Sequence, residues 1–274
     1  MTIPSATPVF IYTALACEAK PLLEYFKLKK ITDISVFSVY SGHNIHLIVT
    51  GLGKNAMAAA VAYSQALLTP TLTPIMLNIG IAGHKDAALG ALYLVDKNTD
   101  TDSLKTYYPP IVFKPPCPTS SLQTSAQAQL SYAQAALYDM EASAFYETAA
   151  RFTYGELSHS LKIISDNRLN PADNLQPNQV SGLIATHVAL FAGIIAQLRA
   201  LADQLDKPIN IDYAALIQQF HFTVTEQLQL KHLLARWAVI SAQPLPELPL
   251  SECRRGKDVL RWLDKQLSQL DFYL

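Results

Sequence analysis

Apolar positions along the chain follow two rhythms. Short runs at 8–15 ("PVFIYTAL"), 34–40, 45–50, 74–79, 91–96 and 161–165 are β-branched or aromatic and bounded by turn residues, which predicts strands. The runs 34–40 and 45–50 are separated by "SGHN", a hairpin signal. Between strands the apolar period lengthens to that of a helix. Ala56, Ala59, Ala60, Tyr63 and Leu67 share one face after Gly53, and Ala142, Phe145, Tyr146 and Ala149 share another. Val180, Leu183, Ile184, Phe191, Ile194, Ile195 and Leu198 make one stripe of a single longer helix. Strands interleaved with helices predict an α/β domain over residues 1–206. Its segment 97–120, rich in proline and threonine, reads as a long irregular connection.

From about residue 207 the strand signals stop. Thr223 and Glu226 form a capping box ahead of a stripe at Leu230, Leu233, Leu234 and Trp237. The proline-spaced run 244–250 follows, then a last helix through Val259, Trp262, Leu263 and Leu267. Residues 207–274 are therefore predicted to be a helical C-terminal extension.

Composition narrows the function. Of 274 residues, 50% are hydrophobic and 16% charged, which predicts a packed core rather than disorder. A net charge of −1 supplies no basic field for nucleic acid or anionic lipid. Cys17, Cys117 and Cys253 are odd in number and show no metal-ligand spacing, so reduced thiols in a cytoplasmic protein are expected, with no metal. The opening "MTIPSATPVFIYTALAC" has no basic leader and reads as a first core strand. The run "VALFAGIIAQLRALADQL" is broken by Gln197, Arg199 and Asp203, so no membrane span is expected.

Three acids stand at predicted strand ends: Glu18 in "ALACEAK", Glu141 in "DMEASAF" and Asp166 in "IISDN". In an open α/β sheet, ligands collect beyond the carboxyl ends of strands, so the three can converge on one crevice. Each also has a local reading. Glu18 suits the first turn of a helix, and Asp166 suits a turn or cap before Asn167. Asp139 can already serve the helix start that follows it, which leaves Glu141 without a local task. "TGLGKNA" and "NIGIAG" place glycine turns after strands, where backbone can approach a ligand. Lys54 leads into Asn55 rather than serine or threonine, so the first turn is not a P-loop.

In order, "ALACEAK", "TGLGKNAMAAA", "LNIGIAG", "ALGALYLVD", "DMEASAF" and "IISDN" resemble the purine nucleoside phosphorylase/uridine phosphorylase superfamily over roughly residues 8–205. The likeness is closest to its methylthioadenosine/S-adenosylhomocysteine nucleosidase branch. It implies a three-layer α/β/α fold with a mixed central sheet, and cleavage of a purine nucleoside at the N-glycosidic bond, with no cofactor. By that likeness Asp166 protonates the departing base at N7, and Glu18 activates the attacking water. Glu141 takes the ribose hydroxyls, and Met140 lies against the sugar. The resemblance further implies that Ala82, Gly83, Ser165, Thr124 and Ser125 border the pocket and that the chain forms a homodimer.

Two departures stand out. The stretch between "LYLVD" and "DMEA" is shorter than in typical nucleosidases, and its base-stacking aromatic is not evident in "SLQTSAQAQL". His84 stands where nearer relatives carry another glycine. The nucleophile has its own signal. Superfamily phosphorylases hold phosphate with arginines largely from the first half of the chain, whereas the first arginine here is Arg151. Lys20, Lys54 and Lys85 are poorer substitutes, and Glu18 would repel phosphate. Hydrolysis is expected. A phosphorylase, or a catalytically silent nucleoside-binding or scaffold protein, is the alternative.

Overall fold

A computed structural model describes residues 7–68, 70, 72–129, 132–205, 213–241, 245–246, 248–249 and 253–270. The chain divides into two compact units, Met1–Asp206 and Lys207–Leu274. The first begins β1 (Val9–Thr13), α1 (Ala16–Phe26), β2 (Lys29–Lys30), β3 (Ser38–Gly42), β4 (Ile45–Val49) and α2 (Lys54–Leu68). It continues with β5 (Ile75–His84), β6 (Leu92–Asp100), β7 (Thr106–Tyr107), β8 (Thr119–Thr124), β9 (Leu137–Asp139) and α3 (Ala142–Ala149). β10 (Ser158–Asp166), α4 (Pro177–Ala185) and α5 (Val188–Leu205) complete it.

The strands join one mixed sheet. β1 lies parallel between β4 and β5, and β5 is parallel to β10. β5 also pairs antiparallel with β9, while β10, β6, β8 and β9 pair in succession. Those five strands therefore close a ring, which removes free edges beside the carboxyl ends of β5 and β10.

Strand alternation sorts the core. Val9 and Ile11 of β1 pack with Ala19 and Leu22 of α1, Ile184 of α4 and Phe191, Ile194 and Leu198 of α5. Phe10 and Tyr12 point the other way, to Met57, Ala60 and Val61 of α2 and Phe145 of α3. Successive side chains on opposite faces give this result directly. α1 contains Pro21, whose ring nitrogen has no hydrogen to donate to the Cys17 carbonyl. The Ser181 hydroxyl of α4 donates to that carbonyl at 2.7 Å, so the helix pair repairs the gap.

Several expectations need correction. The single helix expected over 180–198 is two, α4 and α5, broken at Thr186 and His187. Thr186 donates its hydroxyl back to the Leu183 carbonyl, and the His187 ring bonds the Gly90 carbonyl at 2.8 Å. The connection 97–120 is not wholly irregular, because β6 runs on to Asp100, β7 lies within it and β8 begins at Thr119. The first strand of the predicted hairpin starts at Ser38 rather than 34. Its turn does form: His43 and Asn44 have φ of 51° and 57°, the pair of positive values that a two-residue type I′ turn requires.

α5 is long and apolar enough to cross a membrane by length and composition. Its Phe191, Ile194, Ile195 and Leu198 are instead buried in the first unit's core. The second unit holds α6 (Tyr213–Gln219), α7 (Val224–Ile240) and α8 (Gly256–Leu270). Leu230, Leu234, Trp237, Val259, Leu263 and Leu267 form its own apolar cluster. Its capping box is present, with Thr223 accepting from the Glu226 amide at 3.3 Å and Glu226 accepting from the Thr223 amide at 2.7 Å. The run 244–250 lies partly outside the described residues, as does Leu130 of "SLQTSAQAQL".

Candidate active site

Glu18, Glu141 and Asp166 line one cavity of about 380 Å3. They arrive from three places: the first turn of α1 after β1, the start of α3 after β9, and the last residue of β10. Met140, Ala82, Gly83 and Ser165 border the same cavity. Thr124 and Ser125 do not. The Thr124 hydroxyl is buried and donates to Asp139 at 2.6 Å, while Ser125 bonds the Gln127 carbonyl. Ala128 and Gln129, further along the same segment, reach the cavity instead.

Glu18 is 2% exposed, and both of its oxygens are engaged by backbone. Oε2 accepts from the Leu15 amide at 2.9 Å, and Oε1 accepts from the Ile81 amide of β5 at 2.9 Å. The local and functional readings of this acid therefore coexist, since one oxygen serves the helix start and the other ties it to the floor of the cavity. Burial pushes its carboxyl above the usual range, and the Ile81 and Leu15 amides offset part of that rise. β5 passes close by: a Cβ at Gly80 would stand 2.8 Å from Glu18 Oε1.

At the start of α3 the two acids divide their tasks. Asp139 Oδ2 accepts from the Ala142 amide at 2.9 Å, so it caps the helix as expected. Glu141 Oε1 instead accepts from the Gly53 amide at 2.8 Å. Gly53 has φ of 94°, a conformation that favours glycine, so the "TGLG" turn serves to hold Glu141. Burial and then the neighbouring Asp139 charge push the Glu141 carboxyl up to about 7, with Lys162 pulling it down in part.

Asp166 is not a turn cap. Asn167 does that work, its Oδ1 accepting from the amides of Leu169 and Asn170. Ser165 donates its hydroxyl to Asp166 Oδ1 at 2.5 Å, and the Tyr132 phenol donates to Oδ2. His84, which stands where a glycine is expected, is not among the residues lining the cavity, and its Nδ1 accepts from the Asp86 and Ala87 amides.

Two residues escaped the sequence reading. Lys162 lies inside apolar β10, fully buried, with Nζ 2.8 Å from Asp139. Burial works to lower its ammonium, but the charges of Asp139, Glu141 and Glu18 outweigh that and raise it. A lysine inside an apolar strand was the available signal, because a buried cation requires an anionic partner. Tyr132 is the second. It is an aromatic within the shortened stretch, but C-terminal to the part expected to supply one.

Two buried carboxyls pushed above their usual range, Glu18 and Glu141, stand beside a third held in fixed hydrogen bonds, a grouping suited to acid–base chemistry. A larger cleft of about 690 Å3 between α2 and α3 lacks this chemistry. There Lys54 pairs with Asp100 at 2.9 Å and Asp102 at 2.5 Å, and Lys105 pairs with Glu147 at 2.7 Å. Against burial, Ser143, the Ser103 amide and Lys54 hold Asp100 below the usual carboxylate range. Those charges are committed to one another.

No family model matches the chain, and no curated protein matches its sequence. Its fold does have counterparts. The 5′-methylthioadenosine nucleosidase of Arabidopsis thaliana superposes with a TM-score of 0.59 at 17% identity, covering 70% of this chain and 96% of that one. A 5′-methylthioadenosine/S-adenosylhomocysteine nucleosidase of Helicobacter pylori gives 0.54 at 15% identity, covering 70% and 99%. The futalosine hydrolase of the same organism gives 0.54 at 16% identity, covering 70% and 98%. The likeness is one of fold.

Proposed function

We propose that this chain hydrolyses the N-glycosidic bond of a purine nucleoside, of adenosine type. The observation that carries the reading is the convergence of Glu18, Glu141 and Asp166 on one cavity. Breaking the bond leaves a sugar with oxocarbenium character, which calls for an acid at the leaving base and an activated water. Asp166, steadied by Ser165, is the acid at N7, a contribution worth about 10²–10⁴ in rate. Glu18, with its raised carboxyl, is the base for water. Glu141 accepts from the ribose hydroxyls, and Met140 packs on the sugar.

Water is favoured over phosphate because none of the described residues lining the cavity is a lysine or arginine. Lys54 is paired with Asp100 and Asp102, and Arg151 borders the other cleft. Leu15, Leu52 and Leu175 are among the apolar residues lining the cavity, which suits an apolar 5′ substituent. We read residues 1–206 as the three-layer α/β/α fold and 207–274 as a helical extension. On this reading the protein is a cytoplasmic homodimer that needs no cofactor. The free thiols suit a reducing compartment, and the dimer rests on the resemblance.

A panel of adenosine, 5′-alkylthioadenosines, inosine, guanosine and uridine, assayed for free base with and without phosphate, tests the proposal. Release from adenosine-type substrates should be independent of phosphate and should fall at least about 10²-fold in Asp166→Asn. Phosphate-dependent release would make the chain a phosphorylase. A second reading, a silent nucleoside-binding protein, is favoured by the Tyr132 contact with Asp166. Binding without any release would establish it.

A further inference from the structure

Tyr132 is a bulky aromatic bonded to the acid that is assigned to the base. Its ring is 2% exposed, and its hydroxyl donates to Asp166 Oδ2. Ser165 already holds Oδ1, and Asp166 is itself only 8% exposed, so the carboxylate offers the cavity no unengaged oxygen. Gly83, which borders the cavity, shows how tightly the three fit. A Cβ there would stand 2.6 Å from Asp166 Oδ2 and 2.7 Å from the Tyr132 ring. The aromatic and the acid therefore pack against the same glycine.

The backbone carries a second sign. Tyr132 has φ of 43°, a left-handed conformation that is costly for a large side chain. Such conformations persist where surrounding contacts enforce them, and they cluster at clamps and switches. The enforcing contacts here are the phenol bond to Asp166 and an edge-on packing with the Tyr138 ring at 6.1 Å between centroids. Burial and the Asp166 charge raise the phenol's own value, so Tyr132 stays protonated and remains a donor.

We propose that the Tyr132 phenol is a built-in competitor for the base: it holds the position on Asp166 that a purine nitrogen must take, and it gives way when a base binds. The proposal rests on the base-facing role assigned to Asp166 above. It makes Tyr132 a residue that sets affinity and selects bases able to displace a phenol from a carboxylate. A purine ring nitrogen is itself an acceptor, so it replaces the phenol only on a protonated Asp166, whose carboxylate takes up one proton from solvent as the phenol leaves. A base with no nitrogen acceptor at that point leaves Asp166 to Tyr132.

The test is equilibrium binding of free adenine, by calorimetry, to the full chain and to its Tyr132→Phe and Tyr132→Ala variants. Tyr132→Phe keeps the ring and removes only the hydroxyl. It should bind adenine about tenfold more tightly, the worth of one hydrogen bond to a charged group. A damaged fold would not improve affinity. In Tyr132→Ala, added phenol should weaken adenine binding again by refilling the space. Equal or weaker adenine binding in both variants, or no binding by any of the three proteins, would overturn the proposal. The outcome separates from that of the proposed function, because hydrolysis can be absent in all three proteins while adenine affinity still responds to residue 132.

Discussion

Lys162 and Asp139 form an ion pair with Nζ and Oδ2 2.8 Å apart and both side chains at most 2% exposed. Asp139 also caps α3, so one carboxylate joins β10 to the helix that carries Glu141. A cation at this point is the counterweight to three anions, because its charge reaches Asp139, Glu141 and Glu18. Removing only the lysine leaves buried acids uncompensated.

Lys162→Met should therefore lower stability by about 3–5 kcal/mol, the usual result of breaking one side of a buried pair. Lys162→Met with Asp139→Asn should cost clearly less than the sum of the single changes, since each single change strands its partner. Urea unfolding of the four proteins measures this. Additive losses would mean that the pair is not coupled, despite its geometry.

How much of this was legible in the sequence follows from where each constraint resides. The β3–β4 hairpin was readable because its turn chemistry lies within a few residues at His43 and Asn44. β1 was readable because "PVFIYTAL" is a short, β-branched and aromatic apolar run. The break between α4 and α5 was not. Its apolar stripe runs on through the interruption, and part of the cause is a bond from His187 to Gly90, distant in sequence. β8 was missed because "TSSLQT" is mostly polar and owes its pairing to β6 and β9. The acids were found because strand ends announce them, whereas Tyr132 gains its meaning only from Asp166.

Glu141 supplies a prediction in pH. Its carboxyl is raised from 4.5 to about 7 by burial and by Asp139. The folded chain therefore binds this proton more strongly than the unfolded chain does. Stability linked to it is full below about pH 4.5 and is lost as pH rises through about 7. Burial lowers His46, His84 and His159, which act in the opposite direction. The difference between two proteins isolates the glutamate. Relative to the unaltered chain, Glu141→Gln should gain roughly 1–3 kcal/mol between the two ends of that window. Denaturant unfolding across a pH series reads it, and parallel curves would contradict the assignment.

Lys54 tests the choice of nucleophile. It is the first cation after β4, but Asp100 and Asp102 hold it at 2.9 and 2.5 Å. Lys54→Ala should cost about 1 kcal/mol or less of stability, as partly exposed pairs do. It should leave base release unaltered and still indifferent to phosphate. A specific loss of phosphate-stimulated release in this variant would place phosphate at Lys54 and make the reaction a phosphorolysis.

Gly83 concentrates the packing of the site into one position. Its backbone needs no special freedom, yet an added Cβ would press on Asp166 Oδ2 at 2.6 Å and the Tyr132 ring at 2.7 Å. Neither can yield freely. Asp166 is held by Ser165, and Tyr132 is buried against Tyr138. Gly83→Ala should lower stability by about 1–3 kcal/mol through overpacking. Base release should fall further than that loss implies, because the methyl displaces the acid itself. Joining Gly83→Ala to Tyr132→Ala removes one of the two clashes and should recover part of the stability without recovering activity. Thermal unfolding and base release measured on the same preparations separate the effects. Full activity in Gly83→Ala would show that Asp166 can move without consequence, and the acid would have to be sought elsewhere.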